Sequence, residues 1–193
     1  ALPVGGFWAR RPLPFFPAPW YTKKQENAGK LSPHPPRREV NPMEAVICTQ
    51  PEPPKFDAIP TYKITCYPLE LRDYKPFAQA QVCVTPSTLT LRLWAFEAIP
   101  RPLSRVEAVF TARGSHRLLW LEARAGGEWR CLLRWPEGEA PLSAVAYAMA
   151  GDDFQGEYWG ISAAIPRPAV EEALEVALEP GAVLLGNFYK RSS

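Results

Sequence analysis

Residues 88 to 98, TLTLRLWAFEA, alternate without a break. Leu89, Leu91, Leu93 and Ala95 fall on one side; Thr90, Arg92, Trp94 and Phe96 fall on the other. A period of two sends successive side chains to opposite faces of an extended chain, so this stretch predicts a β-strand with one buried face. Because its second face carries a large aromatic pair, that face is not simply solvated. Pro86, Pro100 and Pro102 bracket the segment, as expected at strand ends. QAQVCVT (79–85) repeats the alternation just upstream.

The signature recurs at short spacing. EAVICT (44–49), TYKITCYPLE (61–70), RVEAVFTA (105–112), HRLLWLEA (116–123) and EWRCLLRW (128–135) read as strands, and so do LSAVAYAMA (142–150), EYWGISAAI (157–165) and AVLLGNFYK (182–190). Gly114-Ser115 and Gly126-Gly127 are hairpin punctuation. One segment, PAVEEALEVAL (168–178), predicts a helix. It opens on Pro168, where a helix tolerates proline, and places Glu171 and Glu172 at the positive end of the helix dipole. Val170, Ala173, Leu174, Ala177 and Leu178 form its apolar stripe, and Pro180-Gly181 ends it. A parallel α/β fold would need a helix between successive strands. The expected fold is therefore all-β: an antiparallel two-sheet β-sandwich of immunoglobulin-like form, with one short helix near the C-terminus.

That domain is expected over residues 43 to 193. Residues 1 to 42 hold nine of the 23 prolines and show neither helical nor strand periodicity. Proline removes the backbone donor and restricts its predecessor, so an irregular segment is expected there. Its aromatic residues Trp8, Phe15, Phe16 and Trp20 leave three readings open: docking on the domain, a polyproline-type ligand, or non-native sequence upstream of a start at Met43.

A formal net charge of +2, with basic residues scattered singly, argues against nucleic acid or an anionic membrane as partner. No apolar run approaches the roughly 20 residues of a membrane span. The start, ALPVGGFWARRPLPFF, lacks a basic region ahead of a continuous apolar stretch, so a cytoplasmic location is expected, or a secreted one if the chain is processed. Cys48, Cys66, Cys83 and Cys131 form no C-x-x-C pair, and His34 and His116 are the two histidines. Buried free thiols in a reducing compartment are expected, with a cross-strand disulfide as the alternative, and no zinc site. The phosphate-loop, dinucleotide and nucleophile-elbow motifs are absent from the sequence.

Three stretches together resemble the carbohydrate-binding module family 9-like proteins, whose sandwich belongs to the DOMON-like group. They are LRLWAFEAIP (91–100), GDDFQGEYWGISAAIP (151–166) with the helix after it, and PGAVLLGNFYK (180–190), where the Asn187 to Lys190 run is the most distinctive. The resemblance covers residues 44 to 193. It implies a polar loop and a last strand beyond that run, so the domain is expected to be C-terminally incomplete at Ser193. It also implies an oligo- or polysaccharide partner.

Sugars are bound by flat aromatic faces, with neighbouring polar groups meeting the hydroxyls. Trp94, Tyr158, Trp159 and Tyr189 are the candidate platforms; Glu97, Glu157, Asn187 and Lys190 are candidate hydroxyl partners, joined by Arg92 on the Trp94 face. Each has a competing structural role. Trp159 fits a core position, Asn187 a turn, and Glu97 a surface pair with Arg101. Trp120, Trp129 and Trp135 read as packing residues. Asp152-Asp153 could contribute to a calcium site or simply be solvated; otherwise no cofactor is expected. The expected function is a non-catalytic carbohydrate-binding module. The alternatives are a glycoside hydrolase using Glu97 and Glu157, and an interaction domain whose aromatics all fill the core. Ser115-His116 makes a poor nucleophile and base, being adjacent in the chain, and His116 or Met149 a poor haem ligand.

Overall fold

A computed structural model describes residues 46–64 and 77–192. The chain divides between Met43 and Glu44 into two units, and the described residues belong to the second. The expectations for residues 1 to 42, for Cys66 and for the end of the 61–70 segment lie outside the described residues.

Eleven strands are described: β1 (Cys48–Thr49), β2 (Tyr62–Ile64), β3 (Ala78–Val84), β4 (Thr88–Phe96), β5 (Arg105–Ala112), β6 (Leu118–Arg124), β7 (Trp129–Trp135), β8 (Gly138–Pro141), β9 (Val145–Asp153), β10 (Gly156–Pro166) and β11 (Leu184–Arg191). The helix α1 (Arg167–Leu174) follows β10. One sheet runs β1-β3-β4-β10-β9, with β2 also paired to β3; the other runs β11-β5-β6-β7-β8. All pairings are antiparallel except β1 with β3, where Cys48 lies beside Cys83. The expected all-β sandwich with one helix near its C-terminal end is what the chain forms.

Alternation builds the core. Leu89, Leu91 and Leu93 of β4 meet Val106, Ala108 and Phe110 of β5, Leu119 and Leu121 of β6, and Ile161 and Ile165 of β10 in one buried cluster. Each fully buried aliphatic side chain of this kind stabilises the fold by about 1.5–3 kcal/mol. Val170 and Leu174 bring α1 onto the same cluster.

Three local readings are corrected. Strand β8 was not expected, because its sequence GEAP is short, polar and unpatterned; it closes a hairpin on β7 through Arg134↔Glu139, reinforced by an ion pair of 2.7 Å. An edge strand needs only backbone pairing, not an apolar face. The β9–β10 hairpin runs further than expected, so Asp152 and Asp153 end β9 and the turn is Phe154-Gln155, followed by Gly156 at φ 110°. The helix stops at Leu174 rather than Leu178. Glu175 takes the left-handed conformation at φ 55° and ψ 42°, while the Glu171 carboxylate turns back to accept the Leu178 amide at 2.8 Å. Leu178 still packs on the core from beyond the helix end.

Candidate functional site

The inward side chains of β4 and β10 leave the opposite residues on the outer face of the six-stranded sheet. On β4 these are Arg92, Trp94 and Phe96; register places them beside Ser162, Gly160 and Tyr158 of β10. Continuing outward, Tyr158 faces Gly151, Gly160 faces Met149 and Ser162 faces Tyr147 of β9. On the other side Trp94 meets Gln79, and Arg92 meets Gln81, of β3.

Two glycines shape this face. A Cβ on Gly160 would meet the Trp94 Cβ at 2.7 Å, and one on Gly151 would meet the Tyr158 hydroxyl at 2.6 Å. The Tyr158 ring therefore lies across Gly151, and the Phe96 ring stands edge-on to it at 5.8 Å. Phe77, just ahead of β3, stacks on the buried Phe96 at 4.6 Å. Trp94 and Tyr158 are both half-buried, with their faces neither lost in the core nor fully solvated.

Arg92 is held from above by the segment between β1 and β2. Its guanidinium lies 3.3 Å from the centre of the Phe56 ring, a cation–π contact. Gln81 pins that segment by donating to the carbonyls of Phe56 and Ile59 at 3.0 Å each. Glu52 anchors its start, accepting from the hydroxyls of Ser87 and Thr85. The Tyr147 phenol, on a side chain 59% exposed, borders Arg92. Ser162 first, and Arg92 after it, draw the phenol below its ordinary pKa of 10.0, against the opposing effect of desolvation.

The other expected site residues lie elsewhere. Trp159, 8% exposed, points into the core, and its indole N–H has no acceptor among the described residues. Glu97 is 2% exposed and pairs with Lys190 rather than Arg101: Lys190 Nζ lies 2.8 Å from Glu97 Oε2 and 3.3 Å from Ser104 Oγ. Glu157 is exposed near the β9–β10 turn. Asn187 and Tyr189 occupy the outer face of the other sheet, where the Asn187 side-chain oxygen accepts the Phe188 amide at 2.9 Å and Arg191 lies 5.0 Å from the Tyr189 ring. Thus Arg92, Trp94 and Tyr158 come together, and the remaining candidates do not join them. Asp152 and Asp153 are exposed, and Asp153 Oδ1 accepts the Gln155 amide at 2.7 Å. Among the described residues no group of three or more metal-ligating side chains comes together, and no helix is long and apolar enough to cross a membrane.

Sequence reasoning missed Tyr147, Ser162, Gln79 and Phe56. Tyr147 shares its face of β9 with Val145 and Met149, but only the β9–β10 register puts it beside Arg92. Trp129 and Trp120 also depart from simple core packing. Trp129 is 39% exposed beside Glu122, Arg124 and Arg130, and Trp120 lies under the Arg134 guanidinium at 3.4 Å, outside the sandwich.

The fold is similar to that of a solved structure described as a "putative carbohydrate-binding protein" from Bacteroides uniformis. The TM-score is 0.51 and the identity 20%, over 69% of this chain and 72% of that one, a likeness of fold. No family model matches the chain, and no curated protein does.

Proposed function

We propose that the sandwich is a non-catalytic carbohydrate-binding module that takes a glycan on the outer face of its six-stranded sheet. The observation that carries this reading is the placement of Trp94 and Tyr158, half-buried and one residue pair out of step, on one face with Arg92 and Tyr147 beside them. Cross-strand diagonal neighbours stand about 7–8 Å apart. Two rings at that spacing can contact one or two sugar units, supplying apolar area at low conformational cost. Tyr147, exposed on the same face and backed by the buried Ser162, brings a hydroxyl for the sugar hydroxyls. The name of the Bacteroides uniformis neighbour and the resemblance to carbohydrate-binding module family 9-like proteins both favour a saccharide partner.

The test is titration of the full chain with soluble oligosaccharides, read by intrinsic tryptophan fluorescence. Binding is expected to shift the emission, and Trp94→Ala with Tyr158→Ala to abolish the shift while the thermal unfolding midpoint shows a folded domain. A panel of neutral and acidic glycans that produces no shift would overturn the proposal. Release of reducing ends during the titration, lost in Glu157→Gln, would instead establish hydrolysis.

A further inference from the structure

We infer that this face selects a sugar bearing a carboxylate, a hexuronate unit of an acidic polysaccharide, with Arg92 as the residue that recognises it; the inference rests on the glycan-binding reading above. The arginines of the five-stranded sheet meet glutamates: Arg105 and Arg191 meet Glu107, Arg130 meets Glu122, and Arg134 meets Glu139, at 2.7 to 3.2 Å. Arg92 differs. Among the described residues no carboxylate pairs with it, although its side chain is largely enclosed and its Nε is buried without a hydrogen-bond partner.

The groups around Arg92 are neutral. They are Gln81 and Thr90 on the sheet, Ser162 and Tyr147 across β10 and β9, and Phe56 above. Gln81 is already committed to the segment that carries Phe56. The Phe56 ring satisfies the flat face of the guanidinium but accepts nothing from its N–H edges, and the Tyr147 phenol that Arg92 reaches brings no full counter-charge. A guanidinium offers five donors in a planar fork, and its matching acceptor is a carboxylate with two parallel oxygens. An enclosed cation with no counter-charge is costly. A uronate carboxylate entering beside Tyr147 would neutralise it, while the pyranose ring of the same unit lies along Trp94 and Tyr158. A neutral hexose supplies stacking but leaves the charge unanswered.

The matched probes are an oligogalacturonate and its methyl ester, which share backbone and linkage and differ in charge. The full chain is expected to bind the acid about tenfold more tightly than the ester at low salt, as one charge-assisted contact provides. That preference should shrink as salt is raised. Arg92→Gln should bring the acid-to-ester ratio to about one. Arg92→Lys should recover only part of it, because an ammonium lacks the planar fork. Equal binding of acid and ester by the unaltered chain, or a preference that survives Arg92→Gln, would overturn the inference. In either case neutral-glycan binding lost in the Trp94 and Tyr158 variant would leave the module reading standing. Failure to bind any member of the panel would overturn both. The comparison of acid with ester on the unaltered chain decides the selectivity for a carboxylate even if the Arg92 variants do not fold.

Discussion

Trp94 on β4 stands directly opposite Gly160 on β10, and a Cβ at position 160 would lie 2.7 Å from the tryptophan's own Cβ and 2.1 Å from the Leu93 carbonyl oxygen. The half-buried aromatic and the missing side chain are one arrangement. Gly160→Ala is therefore expected to force the two central strands apart locally, destabilising the domain by about 1–3 kcal/mol, the usual effect of overpacking. Glycan affinity should fall with it, because Trp94 must move. Urea unfolding and fluorescence titration of the same variant check both effects; unchanged stability would show that the strands accommodate a methyl group.

Lys190 sits at an inward position of β11, between the two sheets, and its partner Glu97 is equally enclosed. Lys190→Met removes a cation 2.8 Å from a buried carboxylate, at a loss of about 3–5 kcal/mol. Adding Glu97→Gln should return a large part of that loss, since the charge that Lys190 faced is then gone. A double-mutant cycle read by urea denaturation measures the coupling.

Glu122 is a buried carboxylate facing three guanidinium groups, Arg130 at 3.2 Å, Arg124 at 3.5 Å and Arg105 at 3.7 Å. Glu122→Gln keeps the shape and removes the charge that holds the three cations together. A destabilisation of about 2–4 kcal/mol is expected, somewhat below the loss for a fully buried pair because the arginines are partly solvated. Repeating the denaturation at high salt should narrow the difference between variant and parent, since screening weakens the repulsion among the arginines.

Burial pushes the Cys131 thiol up to about 12 and, together with the neighbouring Cys48, the Cys83 thiol up to about 11, from an ordinary value of 9.0. Between pH 9 and pH 12 the unfolded chain releases thiol protons that the folded chain retains. The stability these thiols contribute is fully present below pH 9 and is lost as pH rises through the folded values. Unfolding free energy should therefore decline across that window, less steeply in Cys131→Ala. Denaturation series at pH 8, 10 and 11.5 give the slopes; equal slopes would show Cys131 to be solvated.

Much of this architecture was legible in the order of the residues. The alternation of β4 is local: Leu89 to Ala95 go inward because each lies two residues from the next, and no other part of the chain is needed to know it. The same holds for the two-sheet class, which follows from many short alternating segments with a single helical one. Lys190 was also open to inspection, since it shares its face of β11 with Leu184, Gly186 and Phe188, and a lysine there requires a buried partner.

Tertiary structure alone decided what gathers around the Arg92 and Trp94 face. Arg92 and Trp94 are outward by their own sequence, yet their neighbours Ser162, Tyr147 and Gly160 arrive from strands more than fifty residues away, by register. Phe56 reaches Arg92 from the opposite direction, through a loop held down by Gln81 and Glu52. Periodicity reports which side of a strand a residue takes; it carries no information on which strand lies alongside, because pairing depends on contacts far apart along the chain. Tyr158 and Trp159 show the division most directly. They are adjacent in sequence and equally aromatic, and the pleat sends one to the outer face of the sheet and the other into the core.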